Sequence, residues 1–256
     1  PALMPLPPLA KKPLQATVAK LRRTGRALRR LQPQPVPPAQ ALQDIKARRL
    51  ARRTQQLPDE KELAVALAKV GYTKLKLDPA MKTAQLLTPG MQLDLGGIAK
   101  GYAADAALKL LREKFGIKPA LVAAYGDIAC GDPPPGQTGW KVEIAPIGKG
   151  QKPRPLTLAN AAVSTSGDLE QFVEIGGLRY SHLLDPKTGL GMTRRSSVTV
   201  IAPDCTAADA LATAFSVMPA ERAVELADRL PGVATLILAE QDDAKGTVRE
   251  IASSRW

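Results

Sequence analysis

Residues 93–105 read LDLGGIAKGYAAD, with a glycine pair between two different patterns. Apolar and polar residues alternate over Met91–Leu95, which predicts a strand, and apolar residues then recur at helical spacing until Gly116, a candidate helix C-cap. Gly96 and Gly97 lie between the predicted strand and helix. Because glycine has no side chain, a ligand can approach the backbone there, and the free N–H groups of the new helix attract an anion. The segment therefore indicates either a phosphate-binding turn or an ordinary connection between a strand and a helix.

The positive charge of the chain is concentrated near its start. The 256 residues carry a formal net charge of +12, and 45% of them are hydrophobic, which is enough for a substantial core. Residues 1–56 contain 13 of the 36 Lys and Arg but one acidic residue, Asp44, whereas residues 57–256 carry 23 of each sign. The first segment is also rich in proline. We therefore predict a basic, Pro-rich N-terminal arm at 1–56 and a globular domain at 57–256.

Some classes of function are not supported by this composition. The first aromatic residue is Tyr72, so the arm has no side chain on which bases could stack, and we expect no nucleic-acid partner. Its basic residues indicate either a short helix at 14–31 followed by a basic turn at 46–53, or a solvated arm. No apolar run of about eighteen residues occurs, which predicts no membrane span. Because the chain starts at Pro1 without Met and shows no signal or anchor, we expect a processed N-terminus.

The two cysteines, Cys130 and Cys205, are too few to define a disulfide framework. We expect them to be small buried residues, although a pair between them would also be consistent with the sequence. No Cys and His pattern for zinc and no GxSxG motif of a hydrolase occurs.

The rest of the chain mixes helices and strands. We predict helices at 58–70, 98–115, 206–218 and 220–230. We predict strands at 74–77, 91–95, 120–125, 140–147, 196–202, 233–239 and near 247–251. Because the strands cluster without regular βαβ alternation, the pattern favours an α+β fold in which mixed sheets pack against helices.

Three clusters carry polar side chains next to strands or turns. Asp127 follows a predicted buried strand, where its carboxylate can accept a hydrogen bond from a ligand or belong to a plain turn. Residues 164–168 read STSGD, and their hydroxyls are equally typical of a phosphate site and of a helix N-cap. The only histidine, His182, precedes a turn that begins at Asp185. A lone histidine is more often structural than catalytic, although histidine is the side chain best able to move protons near neutral pH.

A fourth cluster places Asp209 and Thr213 four residues apart on one helical face. Hard oxygen ligands of this kind are those that Mg²⁺ prefers, and Mg²⁺ usually shares its coordination shell with phosphates. A structural explanation competes with a metal site. In that explanation Thr206 caps the helix, Asp209 interacts with the helix dipole, and Thr213 hydrogen-bonds to its own backbone.

Taken in order, these motifs resemble those of the FAD:protein FMN transferase family, the ApbE-like flavin transferases. The resemblance runs from about Leu50 to Val217 and rests on DLGGIAKGYAADAAL at 94–108, GD at 126–127 with GW at 139–140, STSGD at 164–168, SHLLDPKTG at 181–189, and SVTVIAP at 197–203 with ADALATA at 208–214. It implies an ApbE-like, T-fold-like α+β fold for a catalytic domain at 57–256. It also implies a Mg²⁺-dependent enzyme that transfers FMN from FAD to a threonine hydroxyl of a target flavoprotein and releases AMP. The alternative is a relative that binds or hydrolyses FAD without modifying protein.

The resemblance implies roles for individual residues. FAD would be bound by Asp94, Lys100 and the backbone around Leu183. By residue type, the turn at Gly96 and the hydroxyls of Thr165 and Ser166 are candidates for binding its phosphates. Mg²⁺ would be held by the carbonyl of Gly97 and the side chains of Asp209 and Thr213. By residue type, His182 is the best general base for the acceptor threonine, with Asp185 orienting it and Asp127 as a competitor.

The family also implies a partner and a location. Acceptors in such systems are often membrane redox subunits, so we expect a threonine-bearing flavoprotein of this kind and a place in the bacterial cell envelope or periplasm. The oligomeric state is either a monomer or a dimer. The chain departs from the family in two places: residues 1–49 lack its usual N-terminal pattern, and Ala124 and Tyr125 stand where the family has small residues. We expect the Tyr125 ring to crowd the pocket.

Overall fold

The computed structural model describes residues 56–147, 152–167, 171–241 and 247–256. The basic arm predicted at 1–56 lies outside these residues except for its last position, as do the predicted helix at 14–31 and the basic turn at 46–53. Asp168, the last residue of the STSGD motif, also lies outside them.

Within the described residues, the chain forms four α-helices and twelve strands. The helices are α1 (Glu60–Leu67), α2 (Ala99–Phe115), α3 (Cys205–Ser216) and α4 (Ala220–Arg229). The strands are β1 (Leu75–Asp78), β2 (Thr83–Leu86), β3 (Leu121–Ala124), β4 (Asp127–Cys130), β5 (Trp140–Ile144), β6 (Arg154–Leu158), β7 (Ala161–Gly167), β8 (Phe172–Ile175), β9 (Leu178–Ser181), β10 (Ser196–Ala202), β11 (Ala234–Glu240) and β12 (Val248–Ala252). The predicted α+β class is confirmed. None of the described helices is long and apolar enough to cross a membrane.

A six-stranded sheet lies at the centre, in the order β12-β11-β10-β7-β4-β3. Every pair of neighbouring strands in it is antiparallel. Three hairpins, β1-β2, β5-β6 and β8-β9, form separate two-stranded sheets. The alternation of side chains along each strand gives the central sheet two faces with different partners.

Helices α2, α3 and α4 cover one face, where small residues allow close packing. Val198 and Val200 of β10 pack there with Ala208 and Phe215 of α3, all at most 1% exposed. On the other face, Val163 of β7 packs with residues of the β5-β6 hairpin. The sheet is therefore the middle of three layers, and a polar side chain in the helix-facing layer must find its partners among buried groups.

The contact between α2 and α3 is unusually close. A Cβ atom added at Gly101 of α2 would lie 2.1 Å from the carbonyl oxygen of Cys205, the first residue of α3. In the next turn of α2, Asp105 accepts hydrogen bonds from the backbone N–H groups of Cys205 at 2.9 Å and Thr206 at 2.8 Å. The Asp105 carboxylate of α2 thus satisfies backbone N–H groups at the start of α3 that have no partner within that helix.

The predicted helices are confirmed to within a few residues, and Gly116 is the left-handed C-cap of α2, with φ 67°. The predicted strand at 196–202 coincides with β10, and those at 74–77, 120–125, 140–147, 233–239 and 247–251 are present with shifted ends. Both cysteines are free and buried, as expected. Burial raises the pKa of the Cys130 thiol to about 11 and that of Cys205 to about 12.

The predicted strand at 91–95 is wrong. These residues form irregular backbone, and most are exposed, so their alternation of apolar and polar residues does not reflect a sheet. The Asp94 carboxylate accepts a hydrogen bond from the Gly96 N–H at 2.7 Å, and the Leu95 carbonyl accepts from Ala99 at 2.9 Å. Local bonding to the side chain therefore replaces strand pairing before α2.

Two proposed helix caps are also wrong. The hydroxyls at 164–166 belong to strand β7, because that segment pairs with β4 and β10 on both sides. The N-cap of α3 is Asp204, whose carboxylate accepts from the Ala207 N–H at 2.7 Å. The Thr206 hydroxyl instead donates to Asp105.

Replacing Gly101 with alanine tests the close helix contact. Helix propensity alone predicts a gain of about 1 kcal/mol in the free energy of unfolding. Since the new Cβ would meet backbone atoms of Cys205, we expect instead a loss of about 1–3 kcal/mol, measured by urea unfolding. The control Tyr102→Ala, at an exposed neighbouring position, should change stability far less. A Gly101→Ala variant at least as stable as the parent would contradict the close contact between α2 and α3 at this position.

Candidate functional site

Lys100, in the first turn of α2, lies between two buried carboxylates. Its ammonium donates to Asp127 of β4 and to Oδ1 of Asp209 of α3, the latter at 3.2 Å. Asp127 is 1% exposed and Asp209 2%, whereas the Lys100 side chain is 44% exposed. Residues distant in the sequence therefore form one charged cluster in which the carboxylates are buried and the lysine is partly exposed.

Each carboxylate is also held by a neutral donor. The Ser164 hydroxyl of β7 donates to Oδ1 of Asp127, while Lys100 contacts Oδ2. The Gly101 N–H donates to Oδ2 of Asp209 at 3.0 Å, while Lys100 contacts Oδ1. Both carboxylates are thus fixed in orientation, and each presents one oxygen to the same cation.

The cluster has an excess of negative charge. Burial by itself would lower the pKa of Lys100, but the hydrogen bonds and charges of Asp127 and Asp209 outweigh it and hold the pKa above its usual value. The lysine is therefore charged at neutral pH, and two carboxylates face one ammonium. An arrangement of this kind attracts a further cation.

The glycine loop before α2 meets α3 beside this cluster. A Cβ atom added at Gly97 would lie 2.9 Å from Cγ2 and 3.1 Å from Oγ1 of Thr213. Thr213 follows Asp209 by one helical turn on the same face. The two segments that were predicted to share a site are therefore neighbours.

The oxygen atoms around this junction are those that Mg²⁺ prefers. They belong to the Asp209 carboxylate and the Thr213 hydroxyl, and Gly97, whose carbonyl was predicted as a third ligand, packs against Thr213. Among the described residues there is no group of three or more His, Cys, Asp and Glu that could hold a metal. This donor set is suited to a hard cation that is also coordinated by a phosphate. It is not suited to a metal held by protein side chains alone.

The polar residues of β7 divide between the two faces of the central sheet. Ser164 lies opposite Asp127 on the helix-facing side, and Ser166 shares that face by strand alternation. Thr165 lies on the other face, where its hydroxyl is 3.0 Å from that of Thr199. The structure therefore does not bring Thr165 to the side on which Lys100 lies.

The loop that contains His182 has its own hydrogen bonds. Nδ1 of His182 is 3.2 Å from the Gln171 carbonyl oxygen. The Asp185 carboxylate accepts from the Lys187 N–H at 2.8 Å, which stabilises the following turn. The Leu183 carbonyl accepts from Met192 at 2.8 Å. The Asp185 carboxylate thus stabilises its own turn through Oδ1, and the Gln171 carbonyl contacts the imidazole of His182.

Tyr125 occupies the turn between β3 and β4, two residues before Asp127. Its φ of 59° is in the left-handed region, which is unusual for a bulky residue. The residue is 97% exposed, so its ring does not fill space within the cluster of Lys100, Asp127 and Asp209.

Sequence reasoning missed the ion pairs that join Lys100 to Asp127 and Asp209. It also missed Asp105, which connects α2 to the start of α3. Gly101 and Asp105 give a partial signal, because residues four apart in a helix lie on one face. Asp127 lies 27 residues beyond Lys100, whereas Asp209 lies 109 residues beyond it and Cys205 lies 100 residues beyond Asp105. No local pattern identifies these partners.

The sequence model of the ApbE family matches residues 36–237. This match begins earlier and ends later than the resemblance from about Leu50 to Val217. It includes residues 36–49, part of the N-terminal stretch that lacks a recognisable family motif.

Individual relatives give the same result. The chain is 37% identical over 199 residues to the FAD:protein FMN transferase of Treponema pallidum. The matched region covers 71% of this chain and 54% of that protein. The chain is 31% identical over 209 residues to the Vibrio cholerae protein of the same name, covering 80% and 60% respectively. The chain thus spans between half and two thirds of the length of these relatives.

Solved structures share the fold. The flavin transferase ApbE from Vibrio cholerae matches with a TM-score of 0.67 at 30% identity, covering 78% of this chain and 62% of that one. The ApbE protein of Thermotoga maritima matches with a TM-score of 0.66 at 33% identity, covering 78% and 63%. Because the family model matches most of the sequence and the solved structures share its fold, this chain belongs to the ApbE family.

Proposed function

We propose that this chain transfers FMN from FAD to a threonine hydroxyl of a target flavoprotein and releases AMP. The observation that supports this most directly is the contact of the Gly97 loop with Thr213, beside the cluster of Lys100, Asp127 and Asp209. It joins a helix start suited to a diphosphate with oxygen donors suited to a divalent cation. Relatives along most of the chain carry the name FAD:protein FMN transferase.

The reaction exchanges one phosphorus–oxygen bond for another. The threonine oxygen attacks the phosphorus of the FMN half, the bond to the bridging oxygen breaks, and AMP leaves with that oxygen. The threonine proton passes to a base. Phosphoryl transfer of this kind depends mainly on positioning and on stabilising negative charge.

The residues at the start of α2 supply that stabilisation. The Lys100 ammonium and the positive dipole end of the helix attract the diphosphate, and Gly96 and Gly97 let it approach the backbone. Asp94 holds the preceding loop in place through the Gly96 N–H. Mg²⁺, held by Gly97, Asp209 and Thr213, would supply charge neutralisation at the diphosphate.

His182 is the proposed general base. A carbonyl oxygen only accepts hydrogen bonds, so the Gln171 carbonyl places the proton of neutral His182 on Nδ1 and leaves the Nε2 lone pair available. The competing base, Asp127, is engaged by the Lys100 ammonium and the Ser164 hydroxyl. Both oxygens of the Asp127 carboxylate therefore already accept hydrogen bonds in this structure.

The partner and location are proposed from the family. The target is a threonine-bearing flavoprotein, such as a membrane redox subunit, and the chain acts in the bacterial cell envelope or periplasm. FAD is a substrate in this proposal and Mg²⁺ is the cofactor.

The alternative is FAD binding or hydrolysis without transfer to protein. The groups at the junction of α2 and α3 act on the diphosphate, and cleavage of the diphosphate is common to transfer and to hydrolysis. Water would then replace threonine as the attacking group, and FAD would be hydrolysed to FMN and AMP.

Incubation with FAD, Mg²⁺ and a threonine-bearing acceptor distinguishes the two activities. We expect the intact mass of the acceptor to increase by one FMN unit, with a matching amount of AMP. An acceptor in which the threonine is replaced by valine serves as the control. Release of free FMN and AMP without change in the acceptor mass would establish hydrolysis and contradict the transferase.

The role of His182 is tested by His182→Ala. FAD affinity should be unchanged, because the imidazole acts on the acceptor proton, whereas transfer should slow at least about a hundredfold. FAD binding is measured by flavin fluorescence and transfer by acceptor mass. His182→Gln, which keeps a hydrogen bond to Gln171, should be equally slow. Transfer at the parent rate by either variant would exclude the histidine.

Asp209→Ala tests the proposed cation site. Since Asp209 is the charged ligand of the set, the variant should lose transfer activity together with its dependence on Mg²⁺. Asp204→Ala is the matched control on α3: loss of the cap should lower stability by about 1 kcal/mol and leave Mg²⁺-dependent transfer intact. An Asp209→Ala variant that Mg²⁺ still stimulates would place the metal elsewhere.

A further inference from the structure

We propose that Lys100 is the exchangeable counter-cation of this site. Its ammonium neutralises Asp127 and Asp209 while no divalent cation is bound, and a divalent cation that enters binds Asp209 in place of the ammonium, which moves toward solvent and substrate. The proposal rests on the proposed function insofar as it assigns Asp209 to a divalent cation.

The first argument is geometric. Ser164 and the Gly101 N–H occupy one oxygen of each carboxylate. The remaining oxygens, Oδ2 of Asp127 and Oδ1 of Asp209, are the ones that Lys100 contacts. A cation that binds Asp209 through its remaining oxygen therefore competes with the ammonium for the same atom.

The second argument is electrostatic. With Lys100 in place, two carboxylates and one ammonium leave a single net negative charge in a site whose acids are at most 3% exposed. A divalent cation added beside the ammonium would place two cations against the same pair of acids. Like charges at such distances repel strongly where water is excluded. Exchange of the two cations avoids this repulsion.

The third argument is mobility. The Lys100 side chain is 44% exposed, unlike its partners, and it is carried by a flexible four-carbon stem at the open side of the cluster. The carboxylates are fixed by buried donors, but the ammonium can swing outward without moving the backbone. Its outward position is near the start of α2, where a diphosphate is attracted.

A purely structural lysine makes a different prediction from an exchangeable one. If Lys100 served only to hold α2, β4 and α3 together, its loss would loosen the carboxylates and weaken binding of a divalent cation. If it competes with the cation, its loss removes the competitor and strengthens binding. The sign of the change in affinity separates the two roles.

The first experiment measures Mn²⁺ binding to nucleotide-free protein by the electron paramagnetic resonance signal of free Mn²⁺, which shares the preference of Mg²⁺ for oxygen. Lys100→Met should bind Mn²⁺ at least about tenfold more tightly than the parent, the scale expected for removing one adjacent like charge. Lys109→Met is the control, because Lys109 lies on the same helix, is 72% exposed and pairs with Glu113. Unchanged or weaker binding by Lys100→Met, or equal tightening by Lys109→Met, overturns the proposal.

The second experiment uses the unmodified protein and does not depend on the folding of a variant. The rate of acetylation at Lys100 by an amine-reactive reagent is measured by peptide mass spectrometry with and without Mn²⁺. Release of the ammonium should increase labelling of Lys100 several-fold and leave Lys109 unchanged. Labelling of Lys100 that stays constant or falls on adding Mn²⁺ overturns the proposal.

Neither experiment contains FAD or an acceptor protein. A chain without transferase activity would still show the exchange, and an active transferase without the exchange would show none of these changes. The two proposals therefore fail separately.

Discussion

The close crossing of α2 over the start of α3 is the constraint on which the rest of the site depends. Gly101 lets the helices approach until a Cβ atom would no longer fit, and Asp105 binds the first N–H groups of α3. Lys100 immediately precedes Gly101, and the Asp209 carboxylate accepts a hydrogen bond from the Gly101 N–H. The same contact that packs two helices therefore sets the distance between the ammonium and one of its carboxylates.

The central sheet supplies the other half of the cluster. Asp127 begins β4 and faces the helices, where a bare carboxylate would be costly to bury. Ser164 lies opposite it on β7 and Lys100 reaches it from α2, so its charge is matched from two directions. Because both acids are held by the fold and the cation is half exposed, the carboxylates are the rigid part of the site and the lysine is the adaptable part.

Long regular elements could be predicted from the sequence, and contacts between distant segments could not. The helix ending at Gly116 and the strand at 196–202 were predictable because periodicity and capping act locally. The segment at 91–95 has strand-like alternation but is mostly exposed, and Asp94 bonds to its own backbone instead. The proposed pairing of Gly97 with Asp209 and Thr213 came from motif order, whereas the ion pairs of Lys100 required the three-dimensional arrangement.

The arrangement also separates the charged groups of the site from a nearby exposed ring. The ion pairs of Lys100 with Asp127 and Asp209 lie where α2, β4 and α3 meet, within the region that matches the family. Tyr125, two residues before Asp127, is 97% exposed, and its φ of 59° carries a steric cost. The ring therefore contributes nothing to holding the carboxylates, whose orientations are set by Ser164 and the Gly101 N–H.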